Sequence, residues 1–196
     1  MDEHRCSQTK QGKLVVSRNM LTIGHSNRSI EAFLDMLSAH GVQLLVDVRT
    51  MPQSRYNPQF NKDNLPGSLA TRGIGYRHMP GLGGLRRARK DSTNIGWRNP
   101  HFRGYADYMQ TEEFARNLDE LVTLDGEQRV AIMCAEAVPW RCHRSLVADA
   151  LTARGIPVSH IMSASQANPH KMTSFARVEG ESVYYPAETL DLFAGS

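Results

Sequence analysis

The chain has 196 residues, 40% hydrophobic and 22% charged, with a net charge of +3. That length supports one α/β domain with a buried core, and that balance excludes a disordered chain. No apolar run approaches the ~20 residues of a membrane helix, so no membrane partner is expected. Residues 1–18 open with MDEHRCSQTKQGK, which lacks the apolar core of a secretory signal. They read as a flexible segment, the expected compartment is a reducing cytoplasm, and residues 19–196 read as a single α/β domain. The three cysteines Cys6, Cys134 and Cys142 are irregularly spaced, which predicts free or buried thiols and no disulfide framework.

Strand and helix patterns alternate along the chain. A strand is predicted over Met20–Ile23, then a helix over Ser29–His40 with Ile30, Phe33, Leu34 and Leu37 on one face and Gly41 as its stop. Leu44–Val48 is nearly all apolar, as a strand buried on both faces should be. A weaker helix over Lys62–Arg72 precedes a strand at Ile74–His78. The stretch Met79–Arg103 is rich in Pro, Gly and Arg, longer than most loops, and expected to be functional or partly mobile. A helix over Glu112–Leu124, capped by Thr111, leads to a strand at Val130–Cys134. A helix over Arg144–Arg154 ends at Gly155 before a strand at Val158–Met162. The tail FARVEGESVYYP reads as a hairpin or extended segment. The alternation predicts a three-layer α/β/α fold around a mostly parallel sheet of about five strands.

Ligands of open parallel sheets bind beyond the carboxyl ends of the strands. Gly24-His25-Ser26, Asp47-Val48-Arg49 with Ser54 and Arg55, and Cys134-Ala135-Glu136 all follow predicted strands. They are expected to meet in one pocket. Asp47, inside an apolar strand, must be paired; it reads either as a structural acid or as an acid/base group. His25 reads as a base, a ligand or a backbone-bonded loop histidine. The glycines of Gly81-Leu82-Gly83-Gly84 are compatible with amides approaching a phosphate, although no nucleotide fingerprint is present.

The stretch CAEAVPWRCHR, residues 134–144, is the densest in reactive groups. Cys134 ends a strand, and Cys142-His143-Arg144 opens a helix, where arginines and helix amides favour a thiolate. Two inert buried thiols are the alternative reading. A metal held by Cys134, Cys142, His143 and His25 is disfavoured, because adjacent Cys142 and His143 should point apart on a helix and their spacing fits no standard zinc pattern. A phosphatase- or rhodanese-type loop fits in part. Six residues separate Cys134 from Arg141, one more than in the phosphatase loop, and the stretch lacks glycine.

The blocks TIGHSNRSIEAFLDML, LLVDVRTMPQSRYNPQF, GIGYRHMPGLGG, YADYMQTEEFARNLDEL and AIMCAEAVPWRCHRSLVADALTARGIPVSHI resemble, in order, the domain of unknown function 488 family. The resemblance spans about Leu21 to Tyr185. It implies a Rossmann-like α/β domain and marks His25, Ser26, Asp47, Arg49, Pro52, Ser54, Arg55, Cys134, Glu136, Cys142, His143 and Arg144 as signature positions, without assigning them roles.

The expected function is an enzyme acting on a phosphate-bearing or nucleotide-like substrate. Its acid/base candidates are Glu136, Asp47, His25 and His143, its thiol candidate is Cys134, and its substrate-binding candidates are Ser26, Arg49, Ser54, Arg55 and Arg144. Alternatives are rhodanese- or phosphatase-like transfer, a metal-binding protein, and a nucleic-acid-binding module without catalysis. The last draws on eight cations between Arg72 and Arg103 against one acid, Asp91.

Overall fold

A computed structural model describes residues 19–187. The expected flexible segment 1–18, with Cys6, and residues 188–196 lie outside the described residues. Strands β1 (Met20–Gly24), β2 (Leu44–Asp47), β3 (Gly75–His78), β4 (Val130–Cys134), β5 (Val158–Ser163) and β6 (Gln166–Pro169) form one sheet in the order β3-β2-β4-β1-β5-β6. The first five are parallel, and β6 joins antiparallel to β5. A hairpin of β7 (Arg177–Glu179) and β8 (Ser182–Tyr184) fulfils the expectation for the tail. Among the described residues no helix is long and apolar enough to cross a membrane.

Period-two alternation splits the core into two layers. Leu21, Ile23, Leu45, Ala131 and Met133 pack under α1 (Ile30–Ala39) and α2 (Leu65–Ala70). Leu44, Val46, Val130, Ile132 and Cys134 face the other way, toward α3 (Pro100–Tyr108), α4 (Glu112–Glu127) and α5 (Arg144–Ala153). The central strands β1, β2 and β4 thus bury both faces, and the three-layer arrangement follows. The N-caps are chemical: Ser29 Oγ accepts from the Ala32 amide, and Thr111 Oγ1 from the Phe114 amide.

The long Arg-rich stretch is shorter than expected, because α3 takes over at Pro100. Buried Asp107 of α3 ties it down by accepting from the Arg89 amide, Ser92 Oγ and Asn94 Nδ2. The glycines of 81–84 serve close packing: a Cβ on Gly81 would meet Asn117, one on Gly83 Thr50, and one on Gly84 the imidazole of His143, each within 2.4 Å.

The connections decide where a site forms. From β1 the chain crosses through α1 to β2, on one side of the sheet. From neighbouring β4 it crosses through α5 to β5, in the opposite direction and on the other side. The carboxyl ends of β1 and β4 therefore flank a topological switch point, where departing loops leave a crevice.

Candidate functional site

Two clefts open at this crevice, of about 590 Å³ and 490 Å³, and both are lined by Arg49, Met51, Ala135, Glu136 and Arg141. The first adds His25, Ser26, Gln53, Ser54 and Asn57. The second adds Gly84, His101, Phe102 and the cluster Cys134, Cys142 and His143.

The first cleft rests on a chain of buried polar groups. The Asp47 carboxyl group is wholly buried and accepts from the Arg49 backbone amide (3.0 Å), from Arg49 Nε (2.9 Å) and Nη2 (2.6 Å), and from the Tyr76 hydroxyl (2.9 Å). Arg49 Nη2 also donates to the Phe60 carbonyl, and its Nη1 lies 3.1 Å from His25 Nε2. His25 Nδ1 is 2.8 Å from the Ser26 carbonyl. A carbonyl only accepts, so Nδ1 carries the proton and Nε2 accepts from Arg49. Burial and then the Arg49 charge lower the His25 pKa, against the Ser26 carbonyl, and the ring stacks on Phe60 at 4.4 Å. Asp47 thus acts through Arg49 and does not line either cleft.

Ser26 is the one non-glycine among the described residues with positive φ, at 52°. That backbone state costs on the order of 1–3 kcal/mol. The Ser26 amide bonds to the Ala135 carbonyl and the His25 amide to the Cys134 carbonyl, which carries the β1–β4 ladder into the site. Ser54 Oγ accepts from the Tyr56 and Asn57 amides and so shapes the loop. Arg55 is exposed and lines neither cleft.

Arg144 departs from the role the sequence offered. It is buried (1% exposed), and its Nη2 donates to the carbonyls of Glu136 and Ala137, clamping the 135–141 loop from beneath. Its Nε and Nη1 are buried without a hydrogen-bond partner. The cleft-lining arginine of the loop is exposed Arg141, which the sequence offered only by its distance from Cys134. Gln53 and Asn57, also on the cleft, carried no sequence signal beyond lying in a loop after a strand.

Cys142 and His143 do not point apart, as a helical reading required. Cys142 is extended (φ −132°, ψ 141°) after the 3₁₀ turn Pro139–Arg141, and α5 begins only at Arg144. His143 Nδ1 lies 3.9 Å from Cys134 Sγ and 3.8 Å from Cys142 Sγ. His25, offered with them as a ligand, is not in this cluster. The surroundings drive the two buried thiols apart in acidity. The Cys142 S–H, His143 and the Arg144 charge pull the Cys134 pKa well down against burial, while the Cys134 sulfur and burial push Cys142 up.

The basic stretch is largely spent internally. Arg72, Arg77 and Arg89 pair with Asp35, Glu120 and Asp91; Arg86 lies over the Tyr108 ring and donates to backbone carbonyls, as does Arg103. Arg87, Lys90 and Arg98 are left exposed and separate from that network.

The family model described as Domain of unknown function DUF488 matches residues 29–151, more than half of the chain. That span takes in Asp47, Arg49, Glu136 and the thiol–histidine cluster and leaves out His25 and Ser26. No curated protein and no solved structure matches the chain. By this match the chain belongs to the domain of unknown function 488 family.

Proposed function

We propose that this protein is an enzyme acting on a phosphate-bearing or nucleotide-like small molecule in the strand-end clefts. Glu136 serves as the acid/base group and Arg141 holds the anionic end of the substrate. The observation that carries this reading is the shared wall of the two clefts, where exposed Glu136 and Arg141 stand at a topological switch point beside buried thiols. A planar guanidinium suits phosphate oxygens, and an exposed carboxyl in a cleft can exchange protons with a bound substrate or water. The test is a turnover panel of p-nitrophenyl phosphate and nucleoside mono- and triphosphates. Glu136→Gln is expected to lower kcat by about 10²–10⁴-fold. Arg141→Ala is expected to raise KM about tenfold or more. If no panel compound turns over, and neither inorganic phosphate nor AMP shifts the melting temperature, the reading is wrong.

A second reading, thiol-dependent sulfur or phosphoryl transfer, is favoured by the lowered pKa of Cys134. Stoichiometric iodoacetamide labelling and Cys134→Ser should then each abolish turnover, and a fully active serine variant removes it. Nucleic-acid binding without catalysis has weaker support, since most cations of the 72–103 stretch have partners within the protein.

A further inference from the structure

We propose that Cys134, Cys142 and His143 form a binding site for a thiophilic divalent cation, of which zinc is the best fit, with one coordination position open to the cleft. The donor atoms Cys134 Sγ, Cys142 Sγ and one ring nitrogen of His143 all lie within 4.8 Å of one another. The two sulfur-to-Nδ1 distances are 3.9 and 3.8 Å. A zinc ion with Zn–S of ~2.3 Å and Zn–N of ~2.0–2.1 Å spreads its ligand atoms to about 3.5–3.8 Å. The two sulfur-to-nitrogen distances therefore need to contract by only a few tenths of an ångström.

The frame around the three donors is stiff. Cys134 is fixed by the β1–β4 ladder, which pairs it with Gly24. Cys142 is fixed by the 3₁₀ turn, its amide donating to the Pro139 carbonyl at 2.9 Å. The His143 ring is held between Gly84, which has no Cβ to collide with it, and Tyr105 at 5.0 Å.

Charge and donor type point the same way. Binding a divalent cation displaces the Cys142 proton, and its charge together with Arg144 then balances the two sulfur anions. Sulfur and imidazole donors select zinc over magnesium or calcium. Three protein donors beside a cleft, in place of four in a closed core, describe a site with an open position. Glu136 lines the cleft into which that position opens.

The inference rests on the proposed function only in what it gives Glu136 to do. A water on the cation would lose one proton to the Glu136 carboxylate and remain as bound hydroxide, the nucleophile of a hydrolysis.

The test uses the full chain, kept reduced with a phosphine and stripped by EDTA. Titration with Co²⁺ should give a sulfur-to-cobalt charge-transfer band that saturates at one equivalent and is abolished by Zn²⁺. Zinc should slow iodoacetamide labelling of Cys134 and Cys142 at least about tenfold, as expected of metal-ligating thiolates. Cys142→Ser and His143→Gln, checked for fold by circular dichroism, should each weaken cobalt binding by at least about tenfold. No band in the wild-type protein at micromolar cobalt, or equal labelling with and without zinc, overturns the site even if the variants fail to fold. Phosphate-ester turnover by the metal-free protein overturns the bound-hydroxide role given to Glu136 while leaving the enzyme reading intact. A saturating band with no turnover upholds the site and overturns the enzyme reading.

Discussion

Asp47 is the residue on which the aim of the first cleft depends. It is wholly buried, and its hydrogen bonds come from Arg49 and Tyr76. Arg49 in turn fixes His25, which keeps its proton on the nitrogen facing the Ser26 carbonyl. Removing one partner of a buried ion pair leaves the other charged, dry and unpaired, which costs about 3–5 kcal/mol. Asp47→Ala should therefore lower the unfolding free energy by about that amount in urea melts. Leu45→Ala in the same strand would also destabilise, by cavity formation, but should leave His25 unaffected. The distinguishing readout is the His25 ring-nitrogen NMR signal, which should lose its fixed tautomer in Asp47→Ala alone. Unchanged stability, within about 1 kcal/mol, would remove Asp47 from this role.

Between elements, the closest approach is where β1 passes the loop after β4. A Cβ placed on Gly24 would stand 1.8 Å from the Glu136 carbonyl oxygen and 2.9 Å from Arg144 Nη1. Both are fixed to each other by the Arg144 hydrogen bond, so neither can give way alone. Gly24→Ala should push the 135–141 loop off β1 at a cost of about 1–3 kcal/mol. It should also accelerate alkylation of buried Cys134, which mass spectrometry would read; an unaltered labelling rate would refute the coupling. The requirement for glycine here was not legible in the sequence, where Gly24 is one of many glycines after a strand. What was legible is periodic: Val130–Cys134 and the helix beginning at Arg144 stand where alternation and 3.6-residue spacing put them. Helix α3 was missed because it is short and opens inside a Pro-, Gly- and Arg-rich stretch, and its stripe of Phe102, Tyr105, Ala106 and Met109 is interrupted by buried Gly104 and Asp107. The antiparallel strand QANP was missed because it has no β-branched or aromatic residue. The pairing of Cys142 with His143 was misread because the sequence puts both in the helix opening, whereas Cys142 is extended after the 3₁₀ turn Pro139–Arg141.

Across the molecule, one buried hydrogen-bonded chain joins the sheet, α5 and the segment after β6. Thr22 Oγ1 of β1 lies 2.8 Å from His160 Nδ1 of β5, His160 Nε2 lies 3.0 Å from His170 Nδ1, and His170 Nε2 lies 2.8 Å from Asp149 Oδ1. Asp149 Oδ2 also accepts from Thr173 Oγ1 and the Tyr185 hydroxyl, which binds the approach to the β7–β8 hairpin and its exit to α5. Burial, reinforced by His170 and Arg144, pushes the His160 pKa down to about 3. In the unfolded chain the ring takes its proton near the ordinary value of ~6.5. The unfolded state therefore holds the extra proton between those limits, and stability is complete above about pH 6.5 and falls as the pH drops toward 3. The loss approaches ~1.4 kcal/mol per pH unit for one such group. His25, lowered by burial and by Arg49, acts with the same sign. Urea melts at pH 8, 6 and 5 should show this decline. His160→Asn, which keeps a polar side chain but cannot take up the proton, should lose stability at pH 8 and show a shallower slope below pH 6. A wild-type protein equally stable at pH 8 and 5 would mean that His160 is protonated in the folded state, and that the chain from Thr22 to Asp149 accommodates the charge.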